Sequence, residues 1–135
     1  MELIYKLSEL EKASNFVLKN VNRDIILITG EVGTGKTTLI KEYCKLIGVE
    51  EIVNSPTYTL INEYQNKSGK IVHMDLYRVK DINEINELGL FEYLDNNIVI
   101  IEWPEIILKM IDIKYSLINI TFINEKERKL SIKNL

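Results

Sequence analysis

Two stretches of the chain are apolar at every position, Ile25 to Ile28 and Ile98 to Ile101, as expected of strands buried on both faces near the middle of a parallel sheet. After the first of them, Leu39, Ile40, Tyr43, Cys44 and Ile47 recur at the spacing of one helix face, and Gly48 is placed to end that helix. Upstream, Glu2 to Lys6 reads as a short strand, and a capping box of Ser8 with Glu11 opens a helix that buries Leu10, Ala13, Phe16 and Val17. Pro56 marks a loop, followed by a strand through Tyr64. A polar turn at Asn66 to Gly69 pairs that strand with Lys70 to Asp75 as a hairpin. Asp81 with Glu84 caps a helix carrying Ile82, Ile85 and Leu88, which Gly89 interrupts before Phe91 and Leu94. Pro104 can open a further helical turn, and Tyr115 to Ile123 and Lys129 to Ile132 read as two closing strands. The pattern predicts a single α/β domain over residues 1–135, with a mixed, mostly parallel sheet flanked by helices.

Chemistry enters where the first buried strand ends. Gly30 to Thr37 reads Gly-Glu-Val-Gly-Thr-Gly-Lys-Thr, a complete match to G-x-x-x-x-G-K-[ST]. Glycines let successive N–H groups turn inward on phosphate oxygens, and Lys36 adds a cation for the outer phosphates. The Thr37 hydroxyl can ligate Mg²⁺, and the following helix points its positive end at the same anion. Glu31, Val32, Gly33, Thr34, Gly35, Lys36, Thr37 and Thr38 are therefore the candidate phosphate contacts. An ordinary strand-to-helix turn would also use glycine, but the strand, loop and helix arrive in the order the motif demands, so the α/β domain is expected to be of phosphate-loop (P-loop) NTPase type.

A nucleotide-hydrolysing site also needs a carboxylate at the end of an apolar strand to anchor the metal and position water. Two residues qualify. Glu102 follows Ile98 to Ile101, and Asp75 follows Ile71-Val72-His73-Met74. His73 alternates with Asp75 and so shares its strand face, although packing or a hydrogen bond is the plainer use of a lone histidine. Trp103 is either a core aromatic or a neighbour of the nucleotide, and Arg78 either neutralises phosphate or pairs with a carboxylate. One Cys and one His cannot build a metal cluster. The net charge of −3 argues against autonomous binding to a phosphate backbone, so a link to nucleic acid should run through a partner. The chain has no apolar run of membrane-spanning length and no signal-peptide pattern at its start, so a cytoplasmic protein without membrane association is expected.

Four blocks together resemble the bacterial TsaE (YjeE) ATPases of tRNA threonylcarbamoyladenosine biosynthesis: Gly30 to Thr38, Ser55-Pro-Thr-Tyr-Thr-Leu-Ile-Asn-Glu-Tyr64, His73-Met-Asp-Leu-Tyr-Arg78 and Glu102-Trp-Pro104. Val32, Thr34 and Met74 stand where that family usually has Leu, Ala and Phe, and none of these removes a phosphate- or metal-handling group. The resemblance implies an ATPase that uses ATP and Mg²⁺ and docks on a threonylcarbamoyl-transferase subunit (TsaD-like) and its inactive paralogue (TsaB-like), with tRNA met only through that complex. It implies metal ligation by Thr37 and Glu102, catalytic roles for Lys36, Asp75 and Glu102, a switch at Ser55 to Tyr64, and an adenine contact at Arg128. Two rivals share the loop. A small-molecule kinase would need a basic lid, and no Arg-rich insertion follows Gly89; a GTPase would need Asn-Lys-x-Asp, and Asn66-Lys67-Ser68-Gly69 lacks the Asp. A nucleotide-gated interaction module is a third reading, and it overlaps with an ATPase that is slow until docked.

Overall fold

The computed structural model describes residues 1–54, 56 and 60–135. The four positions outside that set, 55 and 57–59, hold most of the hydroxyls of the expected switch, so that expectation lies outside the described residues. Strands β1 (Glu2–Lys6), β2 (Ile25–Thr29), β3 (Ile61–Asn66), β4 (Gly69–Asp75), β5 (Ile98–Glu102), β6 (Ser116–Phe122) and β7 (Glu127–Asn134) form one sheet in the order β1-β7-β6-β2-β5-β4-β3. The four central strands, β6-β2-β5-β4, are parallel, and both flanks are antiparallel. The sheet is thus mixed. The two all-apolar runs pair with each other at its centre, Ile26 opposite Ile100 and Leu27 opposite Ile101.

Side chains alternate across a strand, so a continuous apolar run serves two cores. Ile26, Ile28 and Ile100 pack against α1 (Leu10–Asn20) and α2 (Lys36–Leu46), among Ala13, Val17, Leu39 and Tyr43. Ile25, Leu27, Val99 and Ile101 face α3 (Ile82–Leu88), α4 (Leu90–Tyr93) and α5 (Glu105–Leu108), among Ile85, Leu90 and Ile107. Cys44 lies in the first core, where burial pushes its thiol up to about 12, so it packs as a small hydrophobe.

Asp81 caps α3 by accepting from the Asn83 N–H at 3.0 Å, and Gly89, in the left-handed conformation, separates α3 from α4 as its position in the sequence implies. The first helix starts differently from expectation. Chain continuing from β1 makes a 3-10 turn at Leu7–Glu9, and the Glu9 carboxylate accepts from the Lys6 N–H at 2.9 Å, so the Ser8 and Glu11 pair is not the cap. β1 is an edge strand, and while the Leu7 N–H still donates to the Lys126 carbonyl at 2.9 Å, the Lys6 amide faces outward and is taken by the Glu9 side chain as the chain turns. Because β2, β4, β5 and β6 run in the same direction, their carboxyl ends share one edge, and the candidate chemical residues gather at or near that edge, Arg128 included, since it lies opposite Phe122 at the end of β6.

Candidate functional site

The loop leaves β2 at Gly30 and enters α2 at Lys36, with Gly33 and Gly35 at φ of +82° and +97°. A Cβ built on either would meet no atom within 4 Å, so these glycines face open space, a concavity of the kind that loops with this conformation line with backbone amides. Gly30 differs. A Cβ there would come within 2.7 Å of the Ile120 carbonyl oxygen and 2.9 Å of Thr34 Oγ1, so this glycine allows the loop to cross closely over β6. The Thr34 hydroxyl donates to the Glu31 carbonyl at 2.9 Å and closes the turn.

Lys36 is only 5% exposed. Its ammonium donates to the carbonyls of Gly30 at 2.5 Å and Glu31 at 3.0 Å and lies 4.0 Å from the centre of the Trp103 ring. Burial lowers its pKa from the ordinary lysine value, and the negative charges of Glu102, Asp75 and Glu105 oppose that shift. Trp103 itself is half-buried and stacks at a tilt on Tyr77, 4.7 Å between ring centres. Its backbone adopts φ +55°, which bulky residues avoid, and its N–H donates to the Ile28 carbonyl at 3.3 Å. Backbone strain at a residue of this size, beside the loop, is the kind that accompanies function.

At the end of β5, Glu102 is 2% exposed and both of its oxygens are engaged. Thr37 Oγ1 donates to Oε1 at 2.8 Å, and His73 Nε2 lies 2.8 Å from Oε2. The β4–β5 register sets Asp75 opposite Glu102, which brings the two candidate carboxylates to neighbouring strand ends. Asp75 accepts from the Tyr77 N–H at 2.9 Å. Burial raises its pKa above the ordinary value of 3.8; the Tyr77 amide lowers it, Glu102 raises it further, and His73 and Lys36 lower it.

Among the described residues no group of three or more His, Cys, Asp and Glu side chains forms a metal centre. Thr37 and Glu102 supply two oxygen donors beside the glycine concavity, the chemistry a hard divalent cation takes when phosphate and water complete its shell. A cleft of about 600 Å³ runs alongside, between Gly30, Val32, Tyr77, Trp103 and Asn119. A larger groove lies at the far end of α2, between Lys45 and Asn66, remote from these groups.

Of the other candidates, Glu31 and Val32 are exposed on the loop and Thr38 is exposed on the first turn of α2. Arg128 reaches the loop from the start of β7, just past the β6–β7 turn. Its Nε donates to the Thr34 carbonyl at 3.2 Å, Nη1 to Asn124 at 2.6 Å and Glu127 at 2.9 Å, and the guanidinium rests on the Phe122 ring. Arg78 is exposed on the turn after β4. Sequence reasoning missed Tyr77 as a neighbour of the loop, although it stands two residues beyond Asp75 in the block that carries that carboxylate.

A family model described as "Threonylcarbamoyl adenosine biosynthesis protein TsaE" matches residues 4–130. The chain belongs to the TsaE family. Relatives in that family include the tRNA threonylcarbamoyladenosine biosynthesis protein TsaE of Rickettsia felis, 38% identical over 110 residues, covering 81% of this chain and 64% of the relative. The protein of the same name from Rickettsia typhi is 37% identical over 111 residues, covering 82% of this chain and 77% of its own. The chain thus spans slightly less than two thirds of the R. felis TsaE. The fold is shared with the crystal structure of Bacillus subtilis YdiB, at a TM-score of 0.74 and 25% identity over 98% of this chain and 84% of that one. Among the described residues of this TsaE family member, no helix is long and apolar enough to cross a membrane.

Two stability predictions follow from this geometry. Arg128→Met keeps the stem against Phe122 but removes the charged bonds to three carbonyls, so a loss of about 2 kcal/mol of unfolding free energy is expected, measured by urea unfolding. For Asp75 the folded-state pKa lies above 3.8, so ionising it opposes folding. That cost is absent below the ordinary carboxylate value and complete once pH exceeds the raised one. Asp75→Asn is therefore expected to melt higher than the parent at pH 7, with the gap closing below about pH 4 in a series of thermal melts.

Proposed function

We propose that this protein is a Mg²⁺-dependent ATPase that serves the threonylcarbamoyladenosine modification of tRNA as a nucleotide-driven accessory of the threonylcarbamoyl-transferase and its inactive paralogue. The observation that carries the reading is the Thr37–Glu102 pair, held at 2.8 Å beside a glycine concavity that faces open space. The loop amides and Lys36 bind the phosphates, Lys36 having two of its three donors on Gly30 and Glu31 and the third to offer a phosphate oxygen. Thr37 and Glu102 would hold Mg²⁺, which when bound would supply positive charge to offset that of the phosphoryl oxygens. Asp75, at the next strand end, positions the attacking water. Its burial-raised pKa suits a group that shares a proton with that water. Arg128 is assigned the adenine contact.

The family's membership and its relatives' names support the place in tRNA modification, and the net charge of −3 supports reaching tRNA through protein partners. The test is ATP hydrolysis by the purified protein, alone and with the two transferase subunits, with modified adenosine on tRNA scored in the same reactions. Hydrolysis stimulated by the subunits, with sustained modification, is expected. Phosphate appearing on an added small-molecule acceptor would turn the reading to a kinase. ATP binding with neither stimulation nor effect on modification would remove the proposed role.

A further inference from the structure

We infer that His73 is the positioning residue for Glu102: it holds one carboxylate oxygen so that the other is presented to Thr37 and to the divalent cation. This rests on the proposed metal site and goes beyond it by assigning a residue to its support. In the β4–β5 register His73 lies opposite Ile100, two residues before Glu102, and both side chains point to the α2 side of the sheet. The imidazole is fully buried and Nε2 sits 2.8 Å from Oε2, so no solvent competes for that bond. An ionised carboxylate oxygen only accepts, so Nε2 carries the hydrogen and donates it. Thr37 takes the other oxygen at the same distance, and two donors on two oxygens fix the plane of the carboxylate.

The unused ring atom argues for a specific purpose. His73 Nδ1 is buried with no hydrogen-bond partner among the described residues. Leaving a buried polar atom unpaired costs roughly 1–3 kcal/mol, which an apolar side chain on this strand would avoid. Its neighbours on β4, Ile71, Val72 and Met74, are all apolar and fully buried. A histidine in that company is accounted for by what Nε2 does for Glu102. Partners that orient a metal-binding carboxylate commonly matter about 10- to 100-fold for metal affinity.

The test uses Mn²⁺ as the probe, its binding to the protein–ADP complex read by electron paramagnetic resonance, so that no turnover is needed. His73→Leu is expected to weaken Mn²⁺ binding by about 10- to 100-fold while ADP binding in EDTA stays at the parent level. His73→Gln, whose amide nitrogen reaches near the position of Nε2, is expected to restore Mn²⁺ binding. A folded His73→Leu that binds Mn²⁺ like the parent overturns the inference, as does a folded His73→Gln that binds no better than the leucine variant. Should the leucine variant not fold, His73→Asn replaces it, because its donor stops one bond short. Weak Mn²⁺ binding by Asn beside restored binding by Gln supports the inference, and equal binding by both overturns it. A parent protein that binds Mn²⁺ with ADP but never hydrolyses ATP would defeat the proposed ATPase and leave the role of His73 standing.

Discussion

Replacing Glu102 by glutamine is expected to lower ATP hydrolysis by about three orders of magnitude, roughly 4 kcal/mol of barrier, while the protein stays folded and still binds nucleotide. The amide keeps the volume and an oxygen for His73, so the buried strand end is not left with a hole. What it loses is the negative charge beside Thr37, and with it the proposed anchor for Mg²⁺. Glu102→Ala is a poorer probe, because it also strips His73 and Thr37 of their shared partner inside the fold. Single-turnover hydrolysis at saturating Mg²⁺ checks the expectation. A rate near that of the parent would move the metal to Asp75, which the β4–β5 register puts at the next strand end.

The second large effect separates two glycines that the motif treats alike. Gly30→Ala is expected to destabilise the protein by about 2–4 kcal/mol, since φ is +149° and the new methyl would meet the Ile120 carbonyl at 2.7 Å, a backbone atom that cannot swing away. Gly35→Ala is expected to cost only about 1–2 kcal/mol of left-handed strain, because nothing lies within 4 Å of its Cβ. Its methyl would stand instead in the concavity assigned to phosphate, and ATP affinity is expected to fall by at least about 100-fold, or 2.7 kcal/mol. Urea unfolding and ATP titration on both variants would show whether the effects divide in this way. Parent-like ATP affinity in Gly35→Ala would place the phosphates elsewhere.

Much of this arrangement was legible beforehand. The buried strands announced themselves because four consecutive apolar residues leave no face for water, and the loop did so because phosphate chemistry demands those residue types at that spacing. The hairpin at Asn66 to Gly69 and the break at Gly89 were readable for local reasons, a polar turn and a left-handed glycine. The start of the first helix was misread because Ser8 and Glu11 satisfy a local pattern, while the donor that needs a partner is the Lys6 amide, placed by the pairing of β1 with β7.

By itself, then, the sequence determined the chemical inventory: a phosphate loop, a hydroxyl after its lysine, two carboxylates at strand ends, and alternating elements that make an α/β sheet. Tertiary structure alone decided which of these groups touch. That Glu102, 65 residues from Thr37 and 29 from His73, bonds to both depends on β5 lying between β2 and β4, with Asp75 level with Glu102. Strand order and register come from how the whole sheet packs between two cores, and runs apolar at every position specify neither, because each residue is equally acceptable on either face. The same holds for Trp103, whose left-handed backbone and stacking on Tyr77 are imposed by the end of β5 meeting the loop rather than by any preference of tryptophan.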